Sequence, residues 1–234
     1  MNPTRIDVLG EDYFVLSLSG LATESDDAIL TGERAVHLHP SLTADFFVRS
    51  YSKRGRQCSN DPAAAVSAAA HLSLKRGLPL DEFLFETPRG FLKISCTGDG
   101  FFALTLQKCK VLFTDFVETL GCTVKYCDVS AGGVCRVVLA ENIRAADTLA
   151  LKELLTAGRH LPSAILFASL DGSELEILPY TDFNPSPPSL IELYAAAALA
   201  FHNRGRELRA LDGRLLLCAG CSDVSLKIKC ELTE

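Results

Sequence analysis

Apolar and polar positions along this chain alternate over short runs, and turn residues separate one run from the next. The runs YFVLSLS (13–19), DFFVRSYS (45–52), FLKISC (91–96), FFALTLQ (101–107), VCRVVLA (134–140), SAILFASL (163–170), SELEILPY (173–180) and VSLKIKCEL (224–232) are rich in β-branched and aromatic residues and read as strands. AVHLHP (35–40) reads the same way. Two segments break the pattern: DPAAAVSAAAHLSL (61–74) and PSLIELYAAAALAF (188–201) are apolar on every side. Such segments read as helices buried all round, where small alanine side chains admit close backbone.

These helices head a weak internal repeat. Each copy has a polar cap, an early proline, an alanine-rich helix stopped at Arg-Gly (Arg76-Gly77 and Arg204-Gly205), and two strands around a turn. Asp61 with Pro62 is a sound N-cap and first position, and Ser186 with Pro187 is read as its counterpart, Pro185 and Pro188 stiffening the entry. Gly77 and Gly205 suit the left-handed position that ends a helix. A short helix is expected over Leu149–Gly158. The pattern predicts an α+β fold of two pseudo-symmetric domains, each a curved, mostly antiparallel sheet around one central buried helix. The halves are residues 1–112, with the last strand at about 225–234 added to them, and residues 113–224.

Composition narrows the partners. A net charge of −6 gives no basic field to gather nucleic acid. No apolar run reaches the roughly 20 residues that span a bilayer, and the acidic pair in MNPTRIDVLGEDYF argues against an export signal. Nucleic acid and membrane are excluded on these grounds, and a cytoplasmic location is expected. Nine cysteines, an odd number, read as reduced thiols. Cys218 and Cys221 form a lone CxxC in a strand–turn–strand segment, and His37 and His39 share one strand face as surface or cleft histidines. Neither pair has the further ligands that a metal needs, so no metal is assigned. His71 and His202, late on the two helices, read as packing or helix-end partners.

Several motifs then line up with a known family. VLGEDYFVLSL resembles the opening of the diaminopimelate epimerases, with Gly10 and Asp12 matching and Glu11 at the family's asparagine. ADFFVRSYSKRGRQCSNDPAAA is similar to that family's strand, turn and Cys-Gly-Asn-Gly motif. Cys58 and Asn60 match; Ser59 and Asp61 stand for glycines, and Ser52 for the turn asparagine. Phe85-Glu86-Thr87-Pro88-Arg89-Gly90 resembles the Glu-Thr-x-x-Gly turn.

In the second half the pattern fails. Gly133, Val134 and Cys135 occupy the positions of the substrate-site asparagine, proline and histidine, and Ala164 that of another asparagine. Thr181 and Asp182 replace a Glu-Arg pair, and Leu190, or Ser189 in a shifted register, replaces the second catalytic cysteine.

The resemblance implies cofactor-free proton transfer, in which a thiolate at one helix N-terminus removes an α-proton and a thiol at the other returns one. Only Cys58 of that pair remains. What it implies here is a repurposed isomerase or cyclase without cofactor, using Cys58 as acid/base on a less polar substrate in the interdomain cleft. Ser59, Asn60, Glu11, Ser189, Glu192 and Cys135 would contact that substrate, with His37 or His39 as further candidates to assist. The alternative is a non-catalytic ligand-binding pseudoenzyme or the partner subunit of an active relative. A homodimer follows by family analogy.

Overall fold

The computed structural model describes residues 3–19, 32–58, 61–75, 81–119, 122–140, 154–155, 161–184, 187–201 and 205–233. The chain divides into two compact units, Met1–Leu104 with Lys227–Glu234, and Thr105–Leu226.

The first unit is built of β1 (Thr4–Val8), β2 (Glu11–Ser17), β3 (Arg34–Pro40), β4 (Phe46–Tyr51), the two-residue β5 (Gln57–Cys58), α1 (Pro62–Ala70), β6 (Glu82–Thr87), β7 (Gly90–Gly98) and most of β8 (Phe101–Gln107). The end of β16 (Asp223–Thr233) completes it. Strands run in the order β1-β2-β3-β4-β6-β7-β8-β16, and β1 returns to β16, with Arg5 opposite Thr233 and Val8 opposite Cys230. The sheet therefore closes into a barrel, which removes its open edges. The pairs β1–β16, β1–β2, β3–β4, β4–β5, β6–β7 and β7–β8 are antiparallel, and β2–β3 and β4–β6 are parallel. The β4–β6 pair needs a crossover, and α1 lies on it.

Asp61 starts α1 as expected, its Oδ1 accepting from the Ala64 N–H at 3.2 Å with Pro62 at the first position. All nine helical residues are buried. The helix packs on β1, β2, β3, β4 and β7, a close approach that its run of alanines favours. Ser67, the one polar residue inside it, returns its hydroxyl to the Ala64 carbonyl at 2.8 Å. The helix runs on into a π-helical turn, His71–Lys75. The predicted stop at Arg76-Gly77 lies outside the described residues.

The second unit holds β9 (Lys110–Thr119), β10 (Cys122–Ser130), β11 (Val134–Leu139), β12 (Ala164–Asp171), β13 (Glu174–Tyr180), α2 (Leu190–Ala200), β14 (Glu207–Ala210), β15 (Leu215–Ala219) and the start of β16. Their order is β16-β15-β14-β13-β12-β11-β10-β9. Here α2 lies on the crossover between the parallel strands β13 and β14. The expected helix start at Ser186-Pro187 is corrected: α2 begins at Leu190 with Ser189 as its cap. Pro188 pushes the residue before it out of the helical region, so 187 cannot open the helix. Ser189 and Glu192 form a reciprocal capping box instead. At the other end α2 closes on Phe201, and Gly205, with φ of 72°, makes a turn beyond it. Of the helix expected over Leu149–Gly158, only Leu154 and Leu155 are described, and both are helical.

Tyr126, Val138, Leu154, Ile165 and Phe167 form one core cluster of this unit. Into it the strands also send an ion pair. Asp128 and Arg136 are directly opposite on β10 and β11, and both are fully buried. Arg136 donates through Nε and Nη2 to the two carboxylate oxygens at 2.7 Å each, and through Nη1 to the Leu154 carbonyl. Its guanidinium lies 4.8 Å from the Tyr126 ring centre.

No helix among the described residues is long and apolar enough to cross a membrane.

Candidate functional site

In the first unit, polar side chains from four elements converge on Arg34. That residue opens β3 beside Tyr13 of β2, its register partner. Its guanidinium donates to Glu11 Oε1 at 2.9 Å, lies 3.9 Å from Asp61 Oδ2, and sits 5.7 Å from the centre of the Tyr13 ring. Tyr13 is buried, and its hydroxyl reaches Glu11 Oε2 at 3.4 Å. Cys58, half-buried, ends β5 opposite Ser50 of β4, three residues before the α1 N-cap.

Electrostatics here oppose a reactive thiolate. Burial pushes the Cys58 thiol up, the Asp61 carboxylate pushes it further, and Arg34 pulls it back only in part. Burial also raises Asp61 itself, against the pull of Arg34 and the Ala64 N–H. Tyr13 is held well above the usual phenol range by burial first and by Asp61 second. At neutral pH the cluster therefore presents Cys58 as a thiol, a group that can give a proton. Glu11 and Cys58 thus share one environment, whereas Ser59 and Asn60 lie outside the described residues.

Three other candidates belong to the second unit. Ser189 N and Oγ both donate to Glu192 Oε2, at 2.8 and 2.9 Å, and Glu192 is only 3% exposed. Gly132 lies against this carboxylate. A Cβ on it would stand 1.7 Å from Glu192 Oε1, and its φ of 72° also favours glycine. Cys135 follows on β11, fully buried, its thiol pushed far up by burial and then by Glu192. Around these three the aligned positions are apolar: Leu190 and Val134 are half-buried, and Ala164 is fully buried.

The histidine pair is corrected as well. Rather than lying at a surface or cleft, His37 and His39 are each 1% exposed. Their rings pack on aromatic residues of β4, His37 at 4.9 Å from Tyr51 and His39 at 6.3 Å from Phe47. His71 is also buried, its Nε2 3.2 Å from Ser17 Oγ; His202 lies outside the described residues. Cys218 and Cys221 sit in the strand–turn–strand expected of them. Among the described residues no group of three or more His, Cys, Asp or Glu side chains is placed to hold a metal ion.

Arg34 is the residue that the sequence reading missed. Its only signal was a charge at the start of an apolar strand, two residues past a glycine. Nothing local to Arg34 announces that Glu11 and Asp61 meet there.

Neither a protein-family model nor a curated protein matches the sequence. Solved structures do match. A phenazine biosynthesis protein of the PhzF family from Enterococcus faecalis aligns with a TM-score of 0.71 at 13% identity, over 99% of this chain and 96% of its own. The PhzF-family protein of Bacillus anthracis gives 0.69 at 14% identity, over 100% and 97%. A hydroxyproline epimerase from Agrobacterium vitis, solved with bound trans-4-hydroxy-L-proline, gives 0.67 at 11% identity, over 99% and 90%. The narrower resemblance to diaminopimelate epimerase rests on the sequence motifs alone. What the chain shares with these structures, along almost its whole length, is the mostly-strand fold of the PhzF and amino-acid epimerase type.

Proposed function

We propose that this chain is a cofactor-independent isomerase or cyclase in which the Cys58 thiol exchanges a proton with a less polar substrate. The observation that carries this reading is the cluster of Cys58, Asp61, Arg34, Glu11 and Tyr13, whose ionisable groups perturb one another at the entry to a buried helix. The reading includes two pseudo-repeated halves built around α1 and α2. Both helices are capped by side chains and buried almost throughout.

Chemically, a thiol kept protonated by burial and a neighbouring carboxylate is suited to deliver a proton to carbon and recover it from the same face. Inversion needs a second group opposite, and Leu190 at the first position of α2 carries no proton to give. The substrate is expected to lack a carboxylate at the reacting centre, because Asp61 and Glu192 already occupy the two helix N-termini that would hold one. The same two carboxylates favour a second reading, a non-catalytic binding protein or partner subunit.

Incubation in D₂O with a panel of carbon acids decides between them. The panel runs from amino acids, diaminopimelate included, to neutral ketones and conjugated dienes, each read by proton NMR. Exchange with retained configuration that vanishes in Cys58→Ala supports the enzyme. Exchange that survives Cys58→Ala removes the role given to this thiol, and no exchange with any member leaves the non-catalytic reading.

A further inference from the structure

Strand β9 lies at an edge of the sheet in the Thr105–Leu226 unit. In the first unit β1 returns to β16 and closes the sheet, whereas among the described residues β9 pairs with β10 alone. The strand is ten residues long and carries hydrocarbon along its edge: Val111, Leu112 and Val117 are half-buried, and Phe116 is 59% exposed. A long apolar edge of this kind offers a row of backbone donors and acceptors to another strand.

One hydrogen bond fixes which of those groups face outward. The Phe116 N–H donates to Oδ1 of the adjacent Asp115 at 2.9 Å, so a carboxylate oxygen stands where a neighbouring strand would place a carbonyl. Backbone groups alternate in direction along a strand, and Thr114 and Glu118 therefore turn theirs away from β10 together with Phe116. The side chains agree. Thr114 Oγ1 is 3.3 Å from Cys127 Sγ, and Glu118 Oε1 accepts from Thr123 Oγ1 at 2.7 Å. Such close side-chain approach marks the cross-strand pairs that share no backbone bond.

Two antiparallel strands set outward positions against outward positions. For β9 against β9 of a second copy, the two-fold axis must then fall on a residue and never between two. With the axis at Phe116, the two Phe116 rings stand side by side, Thr114 meets Glu118 of the second copy, and Asp115 meets its Val117, so no like charges are opposed. Moving the axis to Asp115 sets that carboxylate against its own copy. Moving it to Val117 shortens the match to residues 115–119. Moving it to Thr114 runs the match onto Leu112, which the bulge between Asp128 and Val129 leaves without a partner on β10.

We propose that this chain forms a two-fold dimer through antiparallel pairing of β9 with β9 of a second copy, Phe116 facing Phe116 across the axis. The pairing extends the sheet of one copy into that of the other and replaces the Asp115 carboxylate at the Phe116 N–H with a backbone carbonyl. A single strand edge makes a small interface, so the association is of the transient class.

The test is sedimentation velocity of the intact chain from about 1 to 200 µM, the range in which a transient interface fills. The parent should pass from monomer to dimer across that range. Phe116→Lys and Phe116→Glu should each weaken dimerisation at least about tenfold, and an equal mixture of the two should restore it, because opposite charges then meet on the axis. Phe116 is exposed, so both variants keep the fold; Phe91→Lys, at an exposed phenylalanine of β7, should dimerise like the parent. A parent that stays monomeric throughout, a dimer undiminished in both Phe116 variants, or a mixture no more dimeric than its components would each overturn the proposal.

Discussion

Asp128→Asn is the perturbation whose size the structure fixes best. The substitution keeps side-chain shape but removes the carboxylate charge against which the buried Arg136 guanidinium is held. Two charge-assisted hydrogen bonds of 2.7 Å are weakened, while the Leu154 carbonyl and the Tyr126 ring stay among its partners. Stranding one member of a buried pair costs about 3–5 kcal/mol. Arg136→Met should cost about the same. Asp128→Leu combined with Arg136→Met removes both charges and should return to within about 1–2 kcal/mol of the parent, the remainder including the lost Arg136 bond to the Leu154 carbonyl. The chain contains no tryptophan, so urea unfolding is followed by far-ultraviolet circular dichroism. With a slope of about 2.5 kcal/mol per molar, the Asp128→Asn midpoint should drop by about 1–2 M. A drop below about 0.3 M, or a double variant as unstable as the sum of the two single changes, would refute the assignment of this pair as a mutually dependent buried unit.

Two further outcomes follow from the site geometry. Alkylation of Cys58 by iodoacetamide, read peptide by peptide in a mass spectrometer, should still accelerate above pH 9, because burial and Asp61 hold the thiol above its ordinary value of 9.0. Asp61→Asn should move that inflection down and Arg34→Met should move it up; shifts in the same direction would show that these two charges do not set the thiol. Ser189→Ala, which removes the hydroxyl arm of the α2 capping box, should cost about 1 kcal/mol and lower the thermal midpoint by about 2–4 °C. An unchanged midpoint would mean that the box contributes nothing to the start of α2.

What the sequence disclosed depended on how local the signal was. FFALTLQ was bounded by turn residues and alternated cleanly, and it coincides with β8, Phe101–Gln107. Asp61-Pro62 named the α1 entry because a cap and its proline act over adjacent residues. The same reasoning placed the α2 entry three residues too early, since three prolines and two serines in NPSPPS offer competing caps. Only the reach of Glu192 back to Ser189 selects between them. Strands β9 and β10 went unread: KVLFTDFVET and CTVKYCDVS break their alternation with charges, and a register shift between Asp128 and Val129 breaks it again. Arg136 illustrates the limit. The charge in the middle of VCRVVL is fully buried. Its partner Asp128, eight residues back, becomes its neighbour only through the β10–β11 register. The site divides along the same line, with Cys58 and Glu11 found by motif and Arg34 visible only once β2 and β3 are paired.

The closure of the barrel by β16 has a consequence for synthesis. Arg5 of β1 is paired with Thr233, so the first-made strand of the barrel waits for a partner translated more than two hundred residues later. Until then β1 has a free edge toward the place that β16 will fill, and the Met1–Leu104 segment cannot complete its fold as it emerges from the ribosome. The Thr105–Leu226 unit needs no such distant strand and can be assembled first. A nascent chain exposed as far as Leu226 but not beyond should thus be protease-resistant in its later portion and sensitive in its earlier one, the reverse of the usual order in which folding follows translation.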